Sequence, residues 1–268
     1  MNRYSFIDKQ NPLLRPFFIT LGLFILLSTS PAPCSAADEF SMPFQPGEKM
    51  VFELKWTVVS AGEASLEVKS FKKVDNKDAY HFVLTAKTNR FLDRIYKVRD
   101  RIDGYTDMDI TRSLFYSKRQ REGKTKKNAV VKFNWNTSTA AYTEYIKQSK
   151  RKPIELMPGA LDPLSIFYYS RKLPLKVGEE MQRPVSDGKK CEMGKVKVVR
   201  REKITVPAGE FDTFLIIPDL QHVGGVFKKS KNATIEIWIS ADNRRLPVKL
   251  KSEVVVGSFT GELISYTP

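Results

Sequence analysis

The sequence predicts a mainly β protein: an antiparallel curved sheet, forming an open β-barrel or a sandwich, with one short connecting helix near residues 162–172. Three observations lead there. Beyond residue 49, apolar residues recur at every second position, the period of a strand with one buried face. Tight turn signals separate these runs, which favours an antiparallel meander over crossovers. The alternation gives way to a helical pattern between Pro158 and Leu175.

Taken in order, Phe52, Leu54, Trp56 and Val58 alternate with Glu53, Lys55 and Thr57. A turn at Ser60-Ala61-Gly62 leads to Ala64, Leu66 and Val68, set against Glu63, Ser65, Glu67 and Lys69. Tyr80, Phe82, Leu84 and Ala86 define a third strand; in the fourth, Tyr96, Val98 and Ile102 oppose Lys97, Arg99, Arg101 and Asp103. Leu114 and Tyr116 open a fifth that runs into a hairpin turn at Glu122-Gly123-Lys124. Its partner carries Ala129, Val131, Phe133 and Trp135, and Ala141 to Ile146 follows. Asp162 before Pro163 is a helix start, because an oxygen caps the open amides and proline sits where its missing donor costs nothing. Leu164, Phe167, Tyr168 and Arg171 then share one face, and Leu173-Pro174 ends the helix. Strands resume at 195–205, 211–217, 234–240, 247–256 and 261–266. Pro207-Ala208-Gly209, Gly224-Gly225 and Asp242-Asn243 break them.

Residues 1–36 follow another logic. Arg3, Lys9 and Arg15 precede an apolar run from Phe17 to Leu27, and Cys34-Ser35-Ala36-Ala37 makes a small-residue exit. That order reads as a cleavable secretory signal peptide, cut after Ala36 or one residue later. Eleven helical residues rise only about 16 Å, too short for a membrane span. The expected mature chain is a single mainly-β domain over 39–268, with 39–150 and 175–268 as its sub-halves. Only Cys191 survives cleavage, which excludes an intramolecular disulfide and a cysteine-based zinc site. The formal charge of +15 points to an acidic partner or surface.

Several segments carry a resemblance: Pro46-Gly47-Glu48, Ala61-Gly62, Asp162-Pro163-Leu164-Ser165 with Tyr168-Tyr169 and Arg171, and Val206 to Phe211. Ile237-Trp238-Ile239-Ser240 with Asp242, and Arg245-Leu246-Pro247-Val248, complete the set. In order and spacing they resemble the bacterial domain-of-unknown-function family 3108, over most of residues 44–264. The resemblance implies an exported, periplasmic envelope protein of Gram-negative bacteria, with a sheet broadly similar to the unclosed barrels of periplasmic lipoprotein carriers. It implies no established activity.

Lys118, Arg119, Arg121, Lys124, Lys126, Lys127 and Lys132 crowd one hairpin and form the candidate anion-binding group. Like charges on neighbouring strands repel, and a counter-anion relieves them; a solvated face that protects an edge is the alternative. Lys147, Lys150, Arg151 and Lys152 extend the excess, as do Lys228, Lys229 and Lys231. Phe52, Trp56, Tyr80, Phe82, Phe133 and Trp135 either form a closed core or line an apolar groove for an acyl chain. Trp238, Asp242 and Arg245 read as hairpin residues, or as a site with an Asp242–Arg245 ion pair; Asp162 reads as a helix cap or an acid–base group. His81 and His222 lack metal-ligand spacing, Cys191 reads as a solvated loop cysteine or as a thiol activated by nearby lysines, and phosphate-binding glycine loops are absent.

The expectation is a non-catalytic protein without metal or cofactor, binding an anionic amphiphile (lipid or lipopolysaccharide) or an acidic polymer. Contact with the membrane would be peripheral, and nucleic acid is disfavoured. Two alternatives stand beside it. One is a structural or assembly partner that pairs strands with another envelope protein, and the other, least supported, is a carboxylate-based glycoside hydrolase.

Overall fold

The computed structural model describes residues 42–219, 234–253 and 258–268. The expected leader, His222, Gly224-Gly225 and Lys228, Lys229 and Lys231 lie outside the described residues. The first run of strands is β1 (Lys49–Trp56), β2 (Val59–Val74), β3 (Lys77–Thr88), β4 (Arg99–Thr106), β5 (Ser113–Glu122), β6 (Thr125–Asn134) and β7 (Thr139–Glu144). Two short strands follow, β8 (Ser149–Lys150) and β9 (Ile154–Glu155), then the helix α1 (Ser165–Arg171). The second run is β10 (Glu180–Ser186), β11 (Cys191–Val206), β12 (Gly209–Pro218), β13 (Ile235–Ser240), β14 (Pro247–Glu253) and β15 (Ser258–Thr267).

All fifteen strands belong to one open antiparallel sheet, in the order β10-β11-β12-β13-β14-β15-β1-β2-β3-β4-β5-β6-β7-β8, with β9 also on β7. The last strand pairs with the first, Phe52 opposite Leu263, so the two runs are continuous across β15 and β1. Strand β10 is an addition to the expected set. Its sequence, EMQRPVS, has Pro184 in mid-strand and little apolar alternation, so no period marked it.

Alternation gives β1–β7 a core face and an outer face. Met50, Phe52, Leu66, Val68, Phe82, Tyr116, Val131 and Phe133 fill the core face and are buried. The helix covers that face: the Tyr168 ring stacks on Phe82 at 4.0 Å, and Phe44 meets both rings edge-on. Gly104 permits the approach, because a Cβ there would lie 2.9 Å from Ser165 Oγ. A second buried cluster, with Val198, Phe214, Ile216 and Ile239, belongs to β11–β13.

One buried ion pair ties the ends of the chain to the helix. The Arg171 guanidinium donates to both Glu48 oxygens, at 2.6 and 2.9 Å, and to the carbonyls of Arg244 (2.9 Å) and Pro43 (3.3 Å). Both side chains are essentially inaccessible to water. The short motifs around Glu48, Arg171 and Arg245-Leu246-Pro247 thus meet at one buried point.

The two ends of the sheet are finished by short segments of the same chain. β8 and β9 pair with the free side of β7, and Leu161 forms a parallel bridge to Val185 of β10.

Candidate functional site

The seven basic residues of the β5–β6 hairpin do not share one surface. Strand alternation divides them: half-buried Lys118 and Lys127 turn to the core face, while Arg119, Arg121, Lys126 and Lys132 are exposed on the outer face. Lys124 stands at the hairpin tip beside Gly123, whose positive φ of 54° makes the turn. Burial pushes the Lys118 ammonium below the usual lysine range, and the charge of Lys127 adds to the effect. A single seven-residue anion patch is therefore corrected to two faces and a tip.

Of the two readings of the aromatic set, four of its six members meet the closed core. Phe52, Tyr80, Phe82 and Phe133 are buried beneath α1 and the segment before it, so no acyl groove opens along them. Trp135 is half-buried and donates its indole N–H to the Ser113 carbonyl at 2.7 Å. Trp56 stays 44% exposed at the end of β1.

Around the β13–β14 turn, Asp242 pairs with Arg244 rather than Arg245. Arg245 instead donates to the Ala241 carbonyl at 2.9 Å and lies over the Phe214 ring, so the expected Asp242–Arg245 pair does not form. The Trp238 indole donates to Glu202 at 2.8 Å. Asp162 is fully buried and accepts from the amides of Leu164 and Ser165, both at 2.9 Å, and from the hydroxyls of Ser113 and Ser165, both at 2.6 Å. Burial pushes its carboxyl up against those bonds. Cys191 begins β11 instead of lying in a loop, and burial pushes its thiol up, away from nucleophilic character.

What the structure brings together is one rim of the sheet. In an antiparallel meander the turns β1–β2, β3–β4, β5–β6 and β7–β8 fall at the same end. Hydrogen bonds link them: Asn89 Nδ2 to the Ser60 carbonyl (2.6 Å), Gly123 N to Lys97 (2.8 Å) and Tyr145 N to Asn128 (2.8 Å). Among the described residues, every large apolar side chain more than half exposed lies in or beside these turns. They are Val58 (85%), Ile95 (72%), Val59, Phe91, Tyr96, Tyr145 and Ile146. Between them stand exposed Arg90, Arg94, Lys97, Lys124 and Lys147, none with an ion-pair partner among the described residues. The one acid of the β3–β4 turn, Asp93, is taken up by Arg99 at 2.6 Å. The opposite rim is different: its turns carry Asp75, Asp107, Asp109 and Asp242.

Sequence reading missed this rim, although the signal was present. Val58, Phe91, Ile95 and Ile146 are apolar residues at turn positions, where polar turn chemistry is the rule.

Two clefts also open on the sheet. The larger, about 620 Å³, is lined by Lys55, Arg200, Glu202, Trp238, Lys249 and Glu262 among others. Its acids are held by cations: Glu262 accepts from Lys55 (2.9 Å) and Lys249 (2.8 Å), and Glu202 from Arg200 (2.8 Å). Burial acts to raise the Glu262 carboxyl, but the two lysines hold it below the usual range; Arg200 and Trp238 lower Glu202 likewise. A glycosidase acid needs the reverse, a carboxyl kept protonated. Asp100 and Glu122 do converge, on the Gln120 amide at 3.0 and 2.8 Å, but outside both clefts. Among the described residues no group of His, Cys, Asp or Glu is placed to hold a metal ion, and no helix is long and apolar enough to cross a membrane.

Fold and surface together define a β-barrel-like protein whose helix packs on the core face of β1–β7 and whose most exposed apolar residues, among those described, gather at one end. The chain belongs to the protein family of unknown function DUF3108, whose model matches residues 51–264. Among solved structures it is similar to a β-barrel-like protein of the domain of unknown function DUF1849 from Brucella abortus, with a TM-score of 0.51 at 10% identity. That match covers 82% of this chain and 96% of the other. Weaker likenesses include a chain assigned as a lipoprotein from Parabacteroides distasonis (TM-score 0.30, 11% identity, 85% and 98% covered). Another is a chain assigned as an exported protein of YmcC-like fold from Bacteroides fragilis (TM-score 0.32, 10% identity, 85% and 98% covered). Among curated proteins, none matches this chain.

Proposed function

We propose that this is an exported, non-catalytic envelope protein of the periplasm that docks its apolar-basic rim on the surface of an anionic amphiphile, a lipid bilayer or lipopolysaccharide. One observation carries the reading: the most exposed apolar side chains and a set of unpaired cations share the same end of the sheet. Each buried Val, Ile or Phe contributes about 1.5–3 kcal/mol on leaving water, and each Lys or Arg near an anionic surface about 1 kcal/mol. Few of either suffice for reversible binding. The same apolar residues argue against a soluble acidic polymer, which offers nothing to bury them.

Strand pairing with a partner protein has less to work with. At one end β7 is capped by the two-residue strands β8 and β9; at the other, β10 meets Leu161 at one bridge and lacks a donor at Pro184.

Co-sedimentation with vesicles tests the reading. Phosphatidylcholine vesicles containing phosphatidylglycerol should bind the protein, vesicles of phosphatidylcholine alone should bind it weakly, and added salt should release it. Phe91→Ser with Ile95→Ser should abolish binding without loss of fold. Equal binding to both vesicle types, or none to either, overturns the proposal.

A further inference from the structure

The second cleft, about 500 Å³, lies on the outer face of β3–β6 and is organised by three rungs of the sheet. One rung holds Arg101, Arg119 and Asn128; the next, Asp103, Ser117 and Val130; the third, His81, Tyr105 and Phe115. Two arginines thus stand at one end, where Tyr145 also lines the cleft beside Asn128, and three rings at the other, on a rung that continues to exposed Lys132 of β6. Four residues of strand separate the two ends, about 13 Å.

The electrostatics of the cationic end are incomplete. Arg101 and Arg119 are direct cross-strand partners, an arrangement in which like charges repel. Asp103 satisfies only one of them, accepting from Arg101 Nε at 2.9 Å and Nη2 at 2.7 Å. Its remaining capacity goes to His81, whose Nε2 lies 2.8 Å from Oδ1. Arg119 is exposed and has no anionic partner among the described residues.

The aromatic end has an open polar group. A carboxylate only accepts, so His81 donates from Nε2 to Asp103, and Nδ1 is the ring's other polar atom. That nitrogen is buried and without a partner, although His81 lines the cleft and is 6% exposed. The ring is held rigid by stacking on Tyr105 at 4.3 Å, and Phe115 meets Tyr105 edge-on at 5.6 Å. The cleft therefore offers an anion seat, two polar groups in Ser117 and Asn128, and half-buried ring faces.

We infer that this cleft binds an acidic saccharide, its anionic group seated at Arg119 beside Arg101 and its ring carbons against Tyr105 and Phe115. A guanidinium recognises a carboxylate or a phosphate in the same two-pronged manner, so either anion on a sugar fits this chemistry. The hydroxyls answer Ser117 and Asn128, and the apolar face of the ring answers the aromatics. Of the rim residues Tyr145 alone also lines the cleft, and the test turns on Arg119 and Asn128 instead, so its outcome is read apart from membrane docking.

Isothermal titration of the whole protein with four probes tests it: oligogalacturonate, glucosamine 1-phosphate, neutral maltotriose and inorganic phosphate. At least one acidic sugar should bind about 10- to 100-fold more tightly than maltotriose, and Arg119→Ala should remove that difference. Arg119 is exposed, so its loss spares the fold, and Asn128→Ala supplies a second, uncharged disruption. Whichever of the two acidic sugars binds identifies the anion. Binding of inorganic phosphate as tight as that of glucosamine 1-phosphate would overturn the saccharide assignment. So would affinity unchanged in both variants, or acidic sugars binding no better than maltotriose.

Discussion

Replacing Arg171 by methionine should be among the most damaging single changes in the molecule, and the structure gives its size. The guanidinium has no exposure and makes four hydrogen bonds, two to Glu48 and two to backbone carbonyls. Methionine fills much of the volume but leaves the Glu48 carboxylate buried without compensation. Breaking a buried pair from one side costs about 3–5 kcal/mol, and each carbonyl deprived of its donor adds about 1 kcal/mol. The total, about 5–7 kcal/mol, is comparable to the whole stability of many domains. The partner change Glu48→Gln removes the charge, so the double variant should be more stable than Arg171→Met alone by about 2 kcal/mol or more. Urea unfolding at neutral pH, followed by tryptophan fluorescence, measures all three variants. If Arg171→Met does not fold, the comparison of Glu48→Gln with the double variant still reports the coupling. A loss below about 1 kcal/mol for Arg171→Met, or strict additivity, would refute the claim that this pair locks helix to sheet.

Further predictions follow from other buried groups. Burial acts to raise the Asp103 carboxyl, but His81 and Arg101 hold it at about 2, below its ordinary 3.8. A lowered folded-state value stabilises above the unfolded pKa and is lost as pH falls through the folded one. Acid titration between about pH 4 and 2 should therefore remove on the order of 2 kcal/mol, and Asp103→Asn should flatten that part of the profile. Gly104→Val would press a side chain onto Ser165 Oγ and Asp162 Oδ1, at 2.9 and 3.0 Å from its Cβ, and should cost about 1–3 kcal/mol in thermal or urea melts. Cys191 should alkylate with iodoacetamide several times more slowly than free cysteine at pH 8, because burial raises its thiol; a rate equal to that of free cysteine would contradict its placement.

The sheet was legible because its signal is local. Phe52, Leu54 and Trp56, or Phe82 and Leu84, show the two-residue period within a few positions, and Gly123 and Asp242 mark their own turns. The helix face was legible too, through Tyr168 and Arg171. What it covers was not, since the Phe82–Tyr168 stack joins residues 86 positions apart and depends on the curvature of the whole sheet. The basic hairpin shows a different failure. The alternation applied to Ala129 and Val131 also divides Lys118 from Arg119, but charge density alone treats them as one patch. Residues His81 and Asp103 pair only once the β3–β4 register is known, and the leftover charge of Arg119 becomes visible only then. β10 was missed because Pro184 and its polar neighbours lack a strand period; its place is set by β11.

The rim is the central claim, and the native tryptophans offer the most direct test of it. Trp56 sits on the proposed docking end, and Trp135 borders the β6–β7 turn at the opposite end. Two variants, one retaining only Trp56 and the other only Trp135, can be mixed with anionic vesicles containing brominated lipid. Strong quenching of Trp56 with Trp135 unaffected is the predicted result. Equal quenching of both, or quenching of Trp135 alone, would contradict docking through this end of the sheet.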